Sequence, residues 1–390
     1  MSSAAEGLPE TWTARPSHGT GFTGRTLRGD LLSCYTAAVA VLMETRGLSH
    51  RAVLGGQPFL AVRREGTRCE VVHQHTPLTG DGESFTLPLV RRGAADAEEA
   101  GRAVAAAARR DGAVIVTGAT DRLPWLAGAA PAPHWFAVTC RAGRPEIDDV
   151  FAWSDDQGDF GSYRAPVEPH RLGPLAACPA PPDPAHRARE RLALGGTDAG
   201  PAGRTELPYQ WLELDPEGAP GPGDRTDGTG GTGGADGMDV LSRMLHRTAA
   251  APGLAQPGWL TGGAAAVALA DLLEEAGRTP EVLAVQSDLW VAARGRALFR
   301  EVLRDEATAL LGPTAAGLGD WLEAHVLPPW TGVVRAVRYN ALRVRRGHPP
   351  QRGMARELRR LGALEDELPD RLRDVLASAA SAGGRQTSGR

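Results

Sequence analysis

Residues 134–153 read HWFAVTCRAGRPEIDDVFAW. An apolar run led by His134 meets Ala142-Gly143, and a second run carries Asp148 and Asp149. Two short apolar runs separated by a glycine-containing tight turn predict strand, turn, strand. In an antiparallel pair the start of one strand lies beside the end of the other. Residues near 149 therefore approach His134 across the ladder, and the stretch predicts an imidazole and a carboxylate on neighbouring strands.

The flanking sequence extends this sheet. AVIVTGA (113–119) reads as a buried strand, preceded by the alanine-rich helix DAEEAGRAVAAAARRDG with Asp96 as its cap and its end near Gly112. Further upstream, LLSCYTAAVAVLMETRG (31–47) places Ala38, Val41 and Leu42 at helical spacing, with Cys34 and Ala37 one turn earlier and Gly47 as the stop. FLAVRR and CEVVHQH read as short alternating strands. Helix, strands, helix, then sheet over 31–160 is an α+β pattern. Residues 165–212 are proline-rich and irregular, with anchors such as LPYQWLEL.

A composition shift divides the chain. Residues 215–237, DPEGAPGPGDRTDGTGGTGGADG, are nearly devoid of apolar side chains and predict a flexible linker or disordered loop. From Met238 the apolar period is helical almost throughout. The resulting expectation is a flexible arm at 1–20, an α+β domain at 21–214, the linker at 215–237, an all-helical domain at 238–380 and a disordered tail at 381–390.

Bulk properties exclude several classes of function. The chain has 390 residues, 42% of them apolar, and a net charge of −4, which calls for no nucleic-acid partner. All 43 basic residues are arginine, so no lysine Schiff base or Walker lysine is possible. No apolar run approaches the ~18 residues of a membrane span. The N-terminal stretch lacks the apolar region of a secretory signal, so a cytoplasmic location is expected. Cys34, Cys69, Cys140 and Cys178 show no CxxC spacing and are expected as thiols, with no metal site and no cofactor.

Cys34 is the candidate nucleophile. A thiol attacks as thiolate, and the unpaired amides and dipole of a helix start stabilise that anion. His134, leading its strand, is the candidate base, and a carboxylate on the next strand, Asp149 or Asp148, is placed to orient it. Cys69, Cys140 and Cys178 read as structural. His73 and His75 share one strand face but lack a third ligand, so a surface strand is favoured over a metal site. GTGFTG (19–24) follows no strand and carries no lysine, so it is not read as a phosphate loop. Trp259, Trp290, Trp321 and Trp330 read as core anchors. RAVRYNALRVRRG reads as a solvated basic face with an apolar back, the alternative being a docking face for an acidic partner.

In SCYTAAVAVLMETRGLS, HWFAVTCRAGRPEIDDVFAW, GRALFREVLRDEATAL and GALEDELPDRLRDVL, the chain resembles the butirosin-biosynthesis acyltransferase family. Its N-terminal domain is papain-like and related to bacteriocin-processing cysteine peptidases. The resemblance spans about residues 28–165 and 240–380. It implies a papain-like α+β domain followed by an all-helical C-terminal domain. It further implies Cys34 as nucleophile, His134 as general base and Asp149 as its orienting carboxylate, with Asp148 as the fallback. The implied reaction moves an acyl group from an acyl carrier protein, or another thioester donor, onto a small-molecule amine. A cysteine hydrolase or cyclase with the same triad is the second expectation, and a non-catalytic binding protein the third. Two positions depart from the family pattern: Arg28 stands where papain-like peptidases carry an oxyanion-hole glutamine, and Val150 where related sequences often carry proline.

Overall fold

The computed structural model describes residues 27, 29–47, 49–55, 58, 60–65, 68–72, 89–126, 132–151, 153–155, 158–160, 163–177, 207–214, 234–250, 258–275, 283, 286–351 and 353–387. These fall into two compact units, one from Met1–Leu48 with Leu87–Thr229, the other from Ser49–Thr86 with Gly230–Arg390. The chain is a mixed α and β protein, as the α+β pattern predicts.

The first unit is built on a six-stranded antiparallel sheet. Its strands are β1 (Leu89–Ala94), β2 (Ala113–Ala119), β3 (Pro133–Arg141), β4 (Arg144–Asp149), β5 (Tyr163–Pro166) and β6 (Tyr209–Leu214), in the spatial order β1-β6-β2-β3-β4-β5. The β3–β4 hairpin closes through Ala142 and Gly143 at φ 48° and 77°. Two successive positive φ values match the right-handed twist of the flanking strands, which is why a two-residue turn suffices. Every residue of β2 is buried, as in a strand covered on both faces.

Two helices supply that cover. Helix α1 (Cys34–Thr45) is buried from Tyr35 through Glu44 and ends at Arg46, with Gly47 following at φ 70°. Such burial makes it a core helix rather than an amphipathic surface one. Helix α2 (Ala97–Asp111) starts at the predicted Asp96 cap, whose Oδ1 accepts the Glu99 amide at 2.8 Å, and stops at Gly112. Its Ala100, Val104 and Ala108 share a core with Val114, Val116, Phe136, Val138 and Ile147. Strand alternation turns Trp135 to the opposite face. Tyr35 meets Trp135 there edge-on at 5.3 Å between ring centroids, which puts α1 on that face. Helix α3 (Pro169–Leu175) crosses α2 through Gly101 and Gly173. A Cβ on Gly173 would lie 1.8 Å from the Ala97 carbonyl oxygen, so this backbone contact requires glycine.

β6 is a correction to the sequence reading. LPYQWLEL is expected as an anchor within an irregular stretch, yet Tyr209–Leu214 is an interior strand between β1 and β2. Its pairing partners lie roughly a hundred residues upstream, and local composition carries no signal for them.

The second unit corrects the domain boundaries. Ala61–Glu65 and Arg68–Val72, expected in the N-terminal domain, pair with each other, and Trp259–Thr261 pairs with Ala61–Arg63. An isolated two-stranded ribbon is marginal in water, and the third strand together with an apolar cover stabilises it. Leu60, Val62 and Val71 pack in one core with Leu241, Leu269 and Phe299. This unit is therefore predominantly, not wholly, helical. Its main helices are Gly234–Ala249, Gly262–Glu274, Gln286–Val302, Pro313–Trp321, Leu327–Arg345 and Met354–Thr387.

Parts of two segments expected to be flexible or disordered are helical. The helix Gly234–Ala249 takes in residues 234–237 of the expected linker, and Met354–Thr387 takes in 381–387 of the expected tail. Once a helix is nucleated, each added residue gains a hydrogen bond at little further cost. The expected arm at 1–20 lies outside the described residues. Trp330 is a core anchor, fully buried, its Nε1 donating to Glu365 Oε1 at 2.8 Å. Glu365 also takes a two-point contact from the buried Arg296, at 2.8 and 2.5 Å. Trp259, Trp290 and Trp321 are half-buried, with Arg63, Arg294 and Arg371 over their respective rings. Among the described residues, no helix is long and apolar enough to cross a membrane.

Candidate active site

Cys34 is the first residue of α1, and local sequence explains why the helix begins there. Ser33 is extended at φ −76° and ψ 166°, and its side chain accepts the Thr36 amide at 3.1 Å. The Thr36 hydroxyl oxygen accepts the Ser33 amide at 2.9 Å in return. This reciprocal capping pair fixes the first turn. At the first helical position the backbone N–H has no intrahelical acceptor, and the helix dipole presents its positive end. Cys34 is half-buried, whereas the helix behind it is buried from Tyr35 through Glu44. A nucleophile needs that rigid support together with some access to substrate.

His134 is the second residue of β3 and pairs with Gly118 of β2. The β3–β4 register sets Asp148 against Ala137, which carries Asp149 one step further toward His134. His134 Nε2 and Asp149 Oδ2 are 2.7 Å apart, and both residues are about 3% exposed. With Nε2 engaged by Asp149, Nδ1 is the ring nitrogen left to interact with the Cys34 thiol, whose proton affinity His134 lowers. The structure thus brings Cys34, His134 and Asp149 together, from a helix start, a strand start and the end of the next strand.

The proton affinities of the pair shift in opposite directions, the thiol down and the imidazole up. Burial alone pushes the Cys34 thiol up, but the hydrogen bond and charge of His134, with a hydrogen bond from the Trp135 backbone, bring it below its ordinary value. Burial alone lowers His134, but the charge of Asp149 and its hydrogen bond raise the imidazole well above the usual histidine range. A thiolate–imidazolium pair is the state this environment favours. Such a pair can attack a carbonyl carbon through sulfur and move a proton at the histidine.

The two adjacent aspartates separate because successive strand residues face opposite ways. Asp148 turns away and meets Arg164 at 2.6 Å. Its burial pushes the carboxyl up to about 6 even beside that guanidinium. Of the two carboxylates open in the sequence, Asp149 is the one at the histidine. Its Oδ1 accepts the Phe151 amide at 3.2 Å, and its Oδ2 also accepts Trp125 Nε1 at 2.8 Å. The Phe151 ring stands against the His134 ring, with centroids 5.7 Å apart.

The other candidates take no part in this cluster. Cys140 is half-buried at the far end of β3, and Cys69 lies on the strand Arg68–Val72. Arg28, Cys178, His73, His75 and the GTGFTG stretch lie outside the described residues. Among the described residues, no group of three or more His, Cys, Asp or Glu side chains is arranged to hold a metal ion. The basic helix Leu327–Arg345 buries Val333, Val337 and Ala341 and exposes Tyr339, Arg345 and its neighbour Arg346. Sequence reasoning missed Trp125 and Phe151. The S-x-x-T spacing of Ser33 and Thr36 is a legible capping signal, whereas nothing local marks Trp125 as a partner of a residue 24 positions later. No protein-family model matches the chain, and no curated protein matches its sequence.

Proposed function

We propose that the chain is a cysteine-dependent acyltransferase that accepts an acyl group from a thioester and passes it to an amine. The observation that carries this reading is the partly buried Cys34 at a helix start, its thiol lowered by the neighbouring His134, whose Nε2 Asp149 holds at 2.7 Å. The order of helix-borne cysteine, strand-borne histidine and carboxylate on the next antiparallel strand supports a papain-like assignment for the first unit. The resemblance in sequence supplies the donor, a carrier-protein or small-molecule thioester, and an amine acceptor of the aminoglycoside kind. A cytoplasmic setting suits this reading, since a reducing compartment keeps Cys34 as a thiol.

In the proposed cycle, the Cys34 thiolate attacks the thioester carbonyl carbon. The oxyanion lies toward the Cys34 amide at the helix start. Collapse breaks the donor carbon–sulfur bond, and the departing thiolate takes the His134 proton. The product is a Cys34 thioester beside a neutral imidazole. An incoming amine then attacks the acyl carbon while His134 accepts an amine proton. Collapse of the second tetrahedral adduct releases the amide and restores the thiolate–imidazolium pair. Exchange of one thioester for another is nearly isoenergetic, so this chemistry asks less of the oxyanion donors than amide hydrolysis does.

Intact-mass measurement after incubation with S-acetyl-N-acetylcysteamine tests the nucleophile. An acetyl adduct is expected on the wild type and none on Cys34→Ala; an adduct that persists in Cys34→Ala overturns the assignment. Chasing the adduct with an aminoglycoside tests transfer. Release at the same rate by buffer alone would instead make the chain a hydrolase.

A further inference from the structure

The indole of Trp125 donates to Asp149 Oδ2 at 2.8 Å, the same oxygen that meets His134 Nε2 at 2.7 Å. We propose that Trp125 is a positioning residue of the active site, the fourth member of a Cys34–His134–Asp149–Trp125 chain. This rests on the acyl-transfer reading above and adds a residue that nothing in the sequence singled out.

A carboxylate joined to a strand by one methylene can rotate, and a rotation of tens of degrees takes Oδ2 off the imidazole. Two donors prevent this from opposite ends. The Phe151 amide holds Oδ1 at 3.2 Å, and Trp125 holds Oδ2. An ionised carboxylate oxygen has room for two donors, so Trp125 fills the site that His134 leaves open. Three donors thus converge on one carboxylate in a site only 3% exposed, and together they fix Oδ2 against the imidazole.

The indole is itself locked. It stacks on Tyr163 at 4.6 Å with 3° between the planes and meets Phe136 edge-on at 5.4 Å. Phe136 shares β3 with His134, and Tyr163 pairs with Asp149 across β4 and β5. The donor is thus clamped by the same strands that carry the two groups it aligns. A packing role alone would need the ring but not the N–H.

Trp125→Phe separates these roles, since it keeps a stacking ring and removes the donor. Two rates are read on the full chain: alkylation of Cys34 by iodoacetamide across pH, and acetylation of Cys34 by S-acetyl-N-acetylcysteamine. Trp125→Phe is expected to shift the alkylation limb to higher pH and to slow acetylation about 10- to 100-fold, the weight of one hydrogen bond to a charged group. In an Asp149→Asn background the same change should add little, because the charged acceptor is already gone. Near-UV circular dichroism reports whether the variant keeps its fold. If Trp125→Phe does not fold, Trp125→His, whose ring N–H can donate, supplies the same comparison with a donor retained, and its limb should stay near that of the wild type. A folded Trp125→Phe with both rates unchanged overturns the proposal, as does full additivity with Asp149→Asn. A wild-type Cys34 that alkylates like an ordinary thiol would instead remove the acyl-transfer reading beneath it.

Discussion

Replacing Asp149 probes the site where its bonding is densest. The carboxylate is 3% exposed and accepts His134 Nε2 at 2.7 Å, Trp125 Nε1 at 2.8 Å and the Phe151 amide at 3.2 Å. Asp149→Ala removes the acceptor that these three donors share in a buried space. A stranded buried donor costs about 1–3 kcal/mol, so the three together cost about 3–6 kcal/mol once water refills part of the gap. Asp149→Asn is milder. Its amide oxygen can stand at the Oδ2 position and keep the two ring donors, while its NH2 faces the Phe151 amide. One stranded donor remains, a loss of about 1–3 kcal/mol. Urea unfolding near neutral pH should therefore rank wild type above Asp149→Asn above Asp149→Ala, with unchanged slopes. Cys34 alkylation should respond differently. Both variants remove the negative charge that holds His134 protonated against burial. Without that cation, burial dominates at the thiol. Both variants should therefore move the alkylation limb upward alike, although their stabilities differ. An Asp149→Asn no more stable than Asp149→Ala, or an alkylation limb unmoved in either, would refute the reasoning.

The neighbouring aspartate should behave in the opposite way. Asp148 is pushed up from 3.8 to about 6 by burial, in spite of Arg164. Its folded pKa lies above its unfolded value, so its contribution to stability is complete below the unfolded value and is lost as pH rises through the folded one, by about 3 kcal/mol at most. Asp148→Asn should match or exceed the wild type in urea near neutral pH and flatten the profile between those two pKa values; a loss above about 1 kcal/mol would show the Arg164 pair to be net stabilising. At the α2–α3 crossing, Gly173→Ala puts a methyl 1.8 Å from the Ala97 carbonyl oxygen, whereas Gly143→Ala meets nothing within 4 Å and bears only the strain of φ 77°. The first should lose about 3 kcal/mol or more and the second about 1 kcal/mol in thermal or urea unfolding, and equal losses would contradict the close approach.

Features with short-range causes are legible in the sequence. The Asp96 cap, the stop at Gly112, the buried strand 113–119 and the Ala142–Gly143 turn each depend on a few adjacent residues. So does the start of α1 at Cys34, which the Ser33–Thr36 pair fixes. The hairpin that carries His134 and Asp149 needs only its turn and its alternation, and the pairing of an imidazole with a carboxylate could be read from it. The misread elements share the opposite property. Tyr209–Leu214 inserts between strands far upstream, and Trp259–Thr261 completes a sheet begun at Ala61. Locally, each is a short apolar run beside prolines or glycines, and nothing in such a run names its partner.

By itself the sequence determined where the thiol, the imidazole and two candidate carboxylates sit on their elements, because caps, turns and strand alternation are set by neighbours in the chain. Tertiary structure alone decided which aspartate meets His134, that Trp125 shares its oxygen, and which way the thiol and imidazole shift. Proton affinity and carboxylate orientation depend on burial and on charges brought close in space, and those arrive from residues the chain keeps far apart.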